Sequence, residues 1–255
     1  MRNSERRGNR ASATIRASSA PHFVACPHRW KKNTTSNIDE DEVPVAVRVG
    51  TLVHHEITGQ PVNDIKGIAF DDLTPGHHKM KAQVIGMKNA VERWLEAGKY
   101  EILHQEMPLG VDFTEADADV RCTTTLDLVL KHPDDEIAIV NLKTARTTRI
   151  SPNAYAQAAI ECAVARNARP SPFARTPTEY AFLVVNRNTF PTAKAIWLDM
   201  DELVSAGLEM QRSLGKMAAR DEWLRSPGQH CGRCNVTECH FNQIHNTHIY
   251  EKEQS

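Results

Sequence analysis

Residues 123–145 read TTTLDLVLKHPDDEIAIVNLKTA. Two apolar runs rich in Leu, Ile and Val flank the segment His132-Pro133-Asp134-Asp135. Short apolar runs on either side of a Pro-Asp turn predict two antiparallel strands closed into a hairpin. The spans are about 119–131 and 136–143. Asp127 is the only charge in TTTLDLVL, a stretch otherwise built for burial. Side chains alternate across a strand, so Asn141 and Lys143 face the same way, and the hairpin can set Asp127 beside them.

Working outward, residues 45–58 predict a short helix with Val47, Leu52, Val53 and Ile57 available for burial, and residues 59–75 predict a loop. The helical period is clearest over 76–97, where Met80, Val84, Met87, Val91 and Trp94 step by three or four before Gly98. A strand is expected over 100–113, a helix over 154–167, strands over 178–186 and 192–198, and a long helix over 200–225 stopped by Pro227-Gly228. This order predicts one α/β domain, a central mixed β-sheet flanked by helices, over residues 21–242. A flexible tail, 243–255, follows it.

Composition narrows the class. The chain has 255 residues, 40% apolar and 25% charged, which excludes a disordered, collagenous or coiled-coil protein. No stretch approaches the ~18 consecutive apolar residues of a membrane span. Net charge is −1, so any contact with nucleic acid must come from a local patch. Residues 1–20 carry five Arg and one Glu with few large apolar side chains, and read as a disordered basic tail. A mitochondrial transit peptide has similar composition, but the tail lacks an amphipathic face, and no apolar segment of a secretory signal follows it. A reducing, cytoplasmic setting is expected.

That setting gives the six cysteines their meaning. Cys231, Cys234 and Cys239 stand in C-x2-C-x4-C spacing among polar residues. Such spacing lets thiolates converge on zinc or an iron–sulfur centre. The fourth ligand could be His230, His240, Cys26, Cys122 or Cys162. Cys122 and Cys162 lie inside a predicted strand and helix, where a buried thiol is the default. A ligand near residue 26 would tie the two ends of the chain into a clasp. Cys26 sits in HFVACPHRWKK, where Trp30 and Lys31 mix an aromatic with cations. That mixture suits stacking on single-stranded nucleic acid, although one anchoring Trp in a solvated segment would read the same way. Lys143, Thr144, Arg146 and Arg149 form either a solvated face or a row of phosphate contacts.

Taken in order, these pieces resemble the PD-(D/E)XK nuclease superfamily in its RecB-type branch. Gly50-Thr51-Leu52-Val53-His54 matches a G-x-x-x-H element, Glu106 in HQEMPL the Glu that follows, and Asp127 the Asp. NLKTA matches D-x-K-T with Lys143 in place, and Gln157 matches the Gln of the next helix. The resemblance implies a restriction-endonuclease-like core. It extends to members such as the CRISPR-adaptation and AddB-type exonucleases, in which one Cys before the core and three after it hold a 4Fe–4S cluster. Cys26, Cys231, Cys234 and Cys239 fit that split, with zinc as the alternative metal.

The resemblance implies Mg²⁺- or Mn²⁺-dependent cleavage of DNA, at ends or in single strands, in recombination, repair or replication, with a helicase or recombination partner and no membrane. His54, Asp127, Asn141 and the backbone carbonyl after Asn141 would hold the metal. Lys143 would orient the attacking water and Gln157 would steady it. Three positions depart from the pattern: Asn141 replaces a carboxylate, Thr124 a Gly and Glu161 a Tyr. A neutral amide oxygen brings no charge, so the expectation divides between a weakened, Mn²⁺-preferring enzyme and an accessory subunit that only binds nucleic acid. An unrelated zinc-stabilised interaction protein is the remaining alternative.

Overall fold

The computed structural model describes residues 11–33, 45–59, 78–115, 118–147, 150–151 and 154–226. The chain opens with strand β1 (Ala11–Arg16), a 3₁₀ turn, and helices α1 (Ala20–Ala25) and α2 (Pro27–Asn33). Helices α3 (Val45–Thr58) and α4 (His78–Gly98) precede strands β2 (Glu101–Glu115), β3 (Ala118–Lys131) and β4 (Ile137–Ala145). Helix α5 (Ala154–Asn167) leads to β5 (Glu179–Asn186), β6 (Ala193–Asp199) and α6 (Met200–Arg220).

The predicted hairpin forms. β3 and β4 pair antiparallel from Leu128↔Val140 to Lys131↔Ile137. β4 then crosses through α5 into β5, which lies parallel to it, and β6 closes that edge antiparallel to β5. The apolar runs of β4 and β5 are covered on both faces, as expected of strands beside a crossover. On one face Val49, Val53, Val84 and Met87 of α3 and α4 pack on Leu128, Val140, Leu142 and Leu183. On the other, α5 and α6 cover Ile139, Phe182 and Val184. A Cβ on Gly207 would come within 2.1 Å of the Ala159 carbonyl oxygen, so α6 crosses α5 at backbone contact.

β3 is the strand that shapes the site. One edge pairs with β2 along the whole strand. The other edge is shared: Ala118–Thr123 pair with β1, in parallel, and Leu128–Lys131 pair with β4. Thr124–Asp127 fall in the fork between those two neighbours. The alternation of β3 also reverses there. Val120, Cys122 and Leu126 pack toward α5 and α6, whereas Leu128 and Leu130 pack toward α3 and α4.

Several elements depart from the sequence expectation. Ala11–Arg16, read as part of the basic tail 1–20, form β1 and bury Ala13 and Ile15, while residues 1–10 and 243–255 lie outside the described residues. α6 stops at Arg220, short of 225, because Asp221 turns into the left-handed region (φ 52°) and its N–H caps the Met217 and Ala218 carbonyls. No helix among the described residues is long and apolar enough to cross a membrane.

Candidate active site

The backbone of Leu142 organises the site. Beyond Val140, β4 leaves β3, and the Leu142 peptide groups on that side lose their strand partner. Buried backbone groups need partners, and here side chains supply them. The Leu142 N–H donates to Asp127 Oδ2 at 2.7 Å. His54 Nε2 lies 2.9 Å from the Leu142 carbonyl oxygen and donates to it. Asp127 comes from the β3 side of the fork and His54 from α3 above the sheet. Gly50 permits the approach of α3, because a Cβ there would sit 2.8 Å from Thr144 Oγ1 on β4.

Glu106 enters from β2. The pairs Gln105↔Leu128 and Met107↔Leu126 set it opposite Asp127. Its φ of 46° is left-handed, a strain of about 1–3 kcal/mol for a residue with a Cβ. The Thr58 hydroxyl lies 2.7 Å from Glu106 Oε1 and orients it. His54, Glu106 and Asp127 bring one ligand atom each to within 4.8 Å of one another.

The electrostatics favour a cation here. Burial pushes Asp127 up to about 7, against the Leu142 hydrogen bond and Lys143, which pull it down. Burial, then Lys143, hold His54 below its ordinary value. Its Nδ1 lies 3.9 Å from Asp127 Oδ2, but a neutral imidazole makes that contact something other than an ion pair. Two carboxylates, a neutral imidazole and a backbone carbonyl form a mixed donor set that suits Mg²⁺ or Mn²⁺.

A second network lies on the α5 side. Asn141 and Lys143 face the same way, as alternation predicts. Lys143 Nζ donates to Gln157 Oε1 at 2.9 Å, and Gln157 Nε2 donates to Glu161 Oε1 at 2.8 Å. Asn141 Nδ2 reaches both Glu161 oxygens at 3.0 and 3.2 Å, and the Tyr180 hydroxyl donates to Glu161 Oε2 at 2.7 Å. Burial and then Asp127 push Glu161 up to about 7. Two of the three positions that break the motif, Asn141 and Glu161, therefore touch. A cavity of about 1190 Å³ joins the two networks, lined by His54, Glu106, Asp127, Lys143, Gln157 and Glu161, with Arg16, Arg121 and Arg187 also in its wall.

The structure thus gathers His54, Glu106, Asp127, Asn141, Lys143 and Gln157. Arg146 is exposed just past β4, while Arg149 lies outside the described residues. Trp30 is a correction. It is only 3% exposed, packs against Phe23 and Trp223 and donates its Nε1–H to Ser19, so it offers no free face to a base. Lys31 sits over the Trp223 ring. Cys26 is buried, and Cys231, Cys234 and Cys239 lie outside the described residues. Cys122, pushed up to about 12, and Cys162, raised well above its ordinary value, are thiols neutralised by burial.

Sequence reasoning missed Thr58, Tyr180 and the cavity arginines 16, 121 and 187. Glu161 registered only as a departure, although its place four residues after Gln157 puts both on one helix face.

Comparison with known proteins agrees with this geometry. Residues 15–239 match the model of the PD-(D/E)XK nuclease superfamily, and the chain belongs to it. Among solved structures it is similar to a provisionally assigned exonuclease from Eubacterium rectale, with TM-score 0.54 and 14% identity over 93% of this chain and 94% of that one. At that identity the likeness speaks for the fold. A second structure, SSO0001, aligns with TM-score 0.38 and 10% identity over 77% of this chain and 74% of its own, too low to bear on the fold. No curated protein sequence matches.

Proposed function

We propose that the chain is a Mg²⁺- or Mn²⁺-dependent deoxyribonuclease of the RecB-type branch, acting on DNA ends or single strands in recombination, repair or replication. The observation that carries this reading is the meeting of His54, Glu106, Asp127 and the Leu142 carbonyl beside Lys143. His54, Asp127, Glu106, the Leu142 carbonyl and Asn141 are the residues that would hold the metal. A divalent cation there supplies the polarisation of a phosphoryl oxygen and the lowered pKa of a water that phosphodiester cleavage needs. Lys143, held by Gln157, orients that water and offsets charge developing on the phosphate. Arg16, Arg121 and Arg187 in the cavity wall, with Arg146 outside it, suit the phosphates of a bound strand.

The reading includes a 4Fe–4S cluster on Cys26, Cys231, Cys234 and Cys239, within a reducing compartment and alongside a helicase or recombination partner. Its support is positional. The His28 N–H donates to the Leu224 carbonyl at 3.0 Å, so Cys26 lies two residues from a contact with the chain just ahead of the Cys-rich segment.

The test is a nuclease assay on linear and circular, single- and double-stranded DNA with Mg²⁺ or Mn²⁺, using anaerobically purified protein. We expect cleavage in at least one metal, and its loss in Asp127→Ala and Lys143→Ala. Cleavage that survives both substitutions would place the chemistry elsewhere. Metal-independent DNA binding without cleavage by the unaltered protein would favour the accessory-subunit reading.

A further inference from the structure

Asn141 stands where the metal site needs a carboxylate, yet it is not surrounded like an isolated amide. It is 1% exposed, on the central strand β4, beside Phe182 of β5 and one residue past the last β3 pair. Its Nδ2 is engaged by both oxygens of Glu161. Its Oδ1 is buried and accepts no hydrogen bond. A buried acceptor left without a partner costs about 1–3 kcal/mol, so its persistence calls for a reason. A carboxylate only accepts, so Glu161 selects the amide orientation that keeps Nδ2 toward itself and Oδ1 away. Glu161 is itself 1% exposed and fixed by Gln157 and Tyr180 as well as Asn141. Its donors arrive from three different elements, β4, α5 and β5.

We propose that Asn141 and Glu161 together replace one carboxylate of the metal site: Asn141 Oδ1 presents the ligand oxygen, and Glu161, a positioning residue behind it, fixes the amide and supplies the negative charge. The proposal rests on the reading of the site as a divalent-metal centre. Hard cations are held by oxygen donors and their charge, and the two properties are separable when a hydrogen bond joins a neutral ligand to a charged residue behind it. Removing the charge should then weaken metal binding although no ligand atom is lost. Moving the charge from position 161 to position 141 should restore it.

The test is Mn²⁺ binding to the full chain by isothermal titration calorimetry, with thermal melting and cleavage measured alongside. Glu161→Gln should weaken Mn²⁺ binding on the order of tenfold or more. Asn141→Asp alone sets two carboxylates against each other, and should melt earlier in the absence of metal. The double variant Asn141→Asp with Glu161→Gln again pairs one carboxylate with one amide donor. It should bind Mn²⁺ within about threefold of the unaltered protein. Tyr180→Phe removes a hydrogen bond from Glu161 without touching its charge, and should change Mn²⁺ affinity by less than about threefold.

If Glu161→Gln fails to fold, the double variant still decides through its Mn²⁺ affinity: a double variant that melts like the unaltered protein but binds Mn²⁺ about tenfold or more weakly would make the pair structural only and overturn the proposal. Mn²⁺ affinity unchanged in Glu161→Gln, or a double variant no better than Glu161→Gln, overturns the proposal. Asp127→Ala separates the two levels. If it abolishes Mn²⁺ binding while the 141 and 161 variants change nothing, the metal site stands and the paired role falls. If the unaltered protein binds no Mn²⁺, both fall.

Discussion

Leu142 shows how a single residue can tie fold to chemistry. Its N–H and C=O are satisfied by Asp127 and His54, so the groups that would handle a metal also complete the sheet. Asp127→Ala should therefore cost about 1–3 kcal/mol of stability through the orphaned Leu142 N–H. Asp127→Asn keeps an acceptor there and should cost less, while losing the charge. The same residue makes a pH prediction. Its folded value, about 7, lies above its ordinary 3.8, so between those limits the folded protein holds a proton that the unfolded chain releases. The stability it contributes is present at low pH and lost as pH rises toward 7. In chelator, the unaltered protein should lose stability relative to Asp127→Asn between pH 4 and pH 7.5, read by urea unfolding. A difference that stays flat across that range would show an ordinary carboxylate. Asp127 was legible in the sequence because one charge in an apolar run is conspicuous. The role of Glu161 was not, since a carboxylate in an Ala-rich helix looks like a surface residue until its sheet partner is known.

At the scale of elements, the fork in β3 gathers groups from both faces of the sheet. His54 arrives on α3 and Gln157 on α5, from opposite sides, and an unbroken sheet would have kept them apart. Period and turn chemistry announced the β3–β4 hairpin, the long helices and the strand–helix–strand order of β4, α5 and β5, but not the parallel pairing of β4 with β5. The reversal of alternation at Asp127 was not legible, because a period-two rule assumes a constant phase. Nor was β1, whose ASATIR offers only Ala13 and Ile15 to the core. The seat of α3 depends on Gly50. Gly50→Val would press on Thr144 and push the helix off β4, lengthening the His54–Leu142 contact. Overpacking of this kind costs about 1–3 kcal/mol. We expect cleavage to drop on the order of tenfold or more in a protein that still folds, since small displacements of positioned groups are costly to rate. Wild-type activity in that variant would show that α3 has slack there.

For the whole molecule, the described residues already join beginning and end. Phe23 and Trp30 from α1 and α2 pack with Trp223 beyond α6, and Lys31 covers the Trp223 ring. The basic aromatic patch that resembled a stacking platform is thus part of the packing of α1 and α2 on the segment after α6, a use that local sequence could not separate from base binding. With a 4Fe–4S cluster on Cys26 and the three C-terminal cysteines, the purified protein should be brown, with broad visible absorption and about four irons. Cys26→Ser should bleach it and lower its melting temperature. A colourless protein with stoichiometric zinc, or a Cys26 variant that keeps its colour, would remove the cluster or that ligand.

Because Asp127 completes the backbone of Leu142, natural selection has two grounds for retaining it. A member of the superfamily without cleavage would still need an acceptor at that place to complete the Leu142 N–H, and drift there would be confined to side chains able to provide one. An acidic or amide residue at the fork is therefore a record of ancestry before it is a record of activity. The unconstrained witness to function is Lys143, whose amine bonds a side chain and no backbone group that the sheet requires.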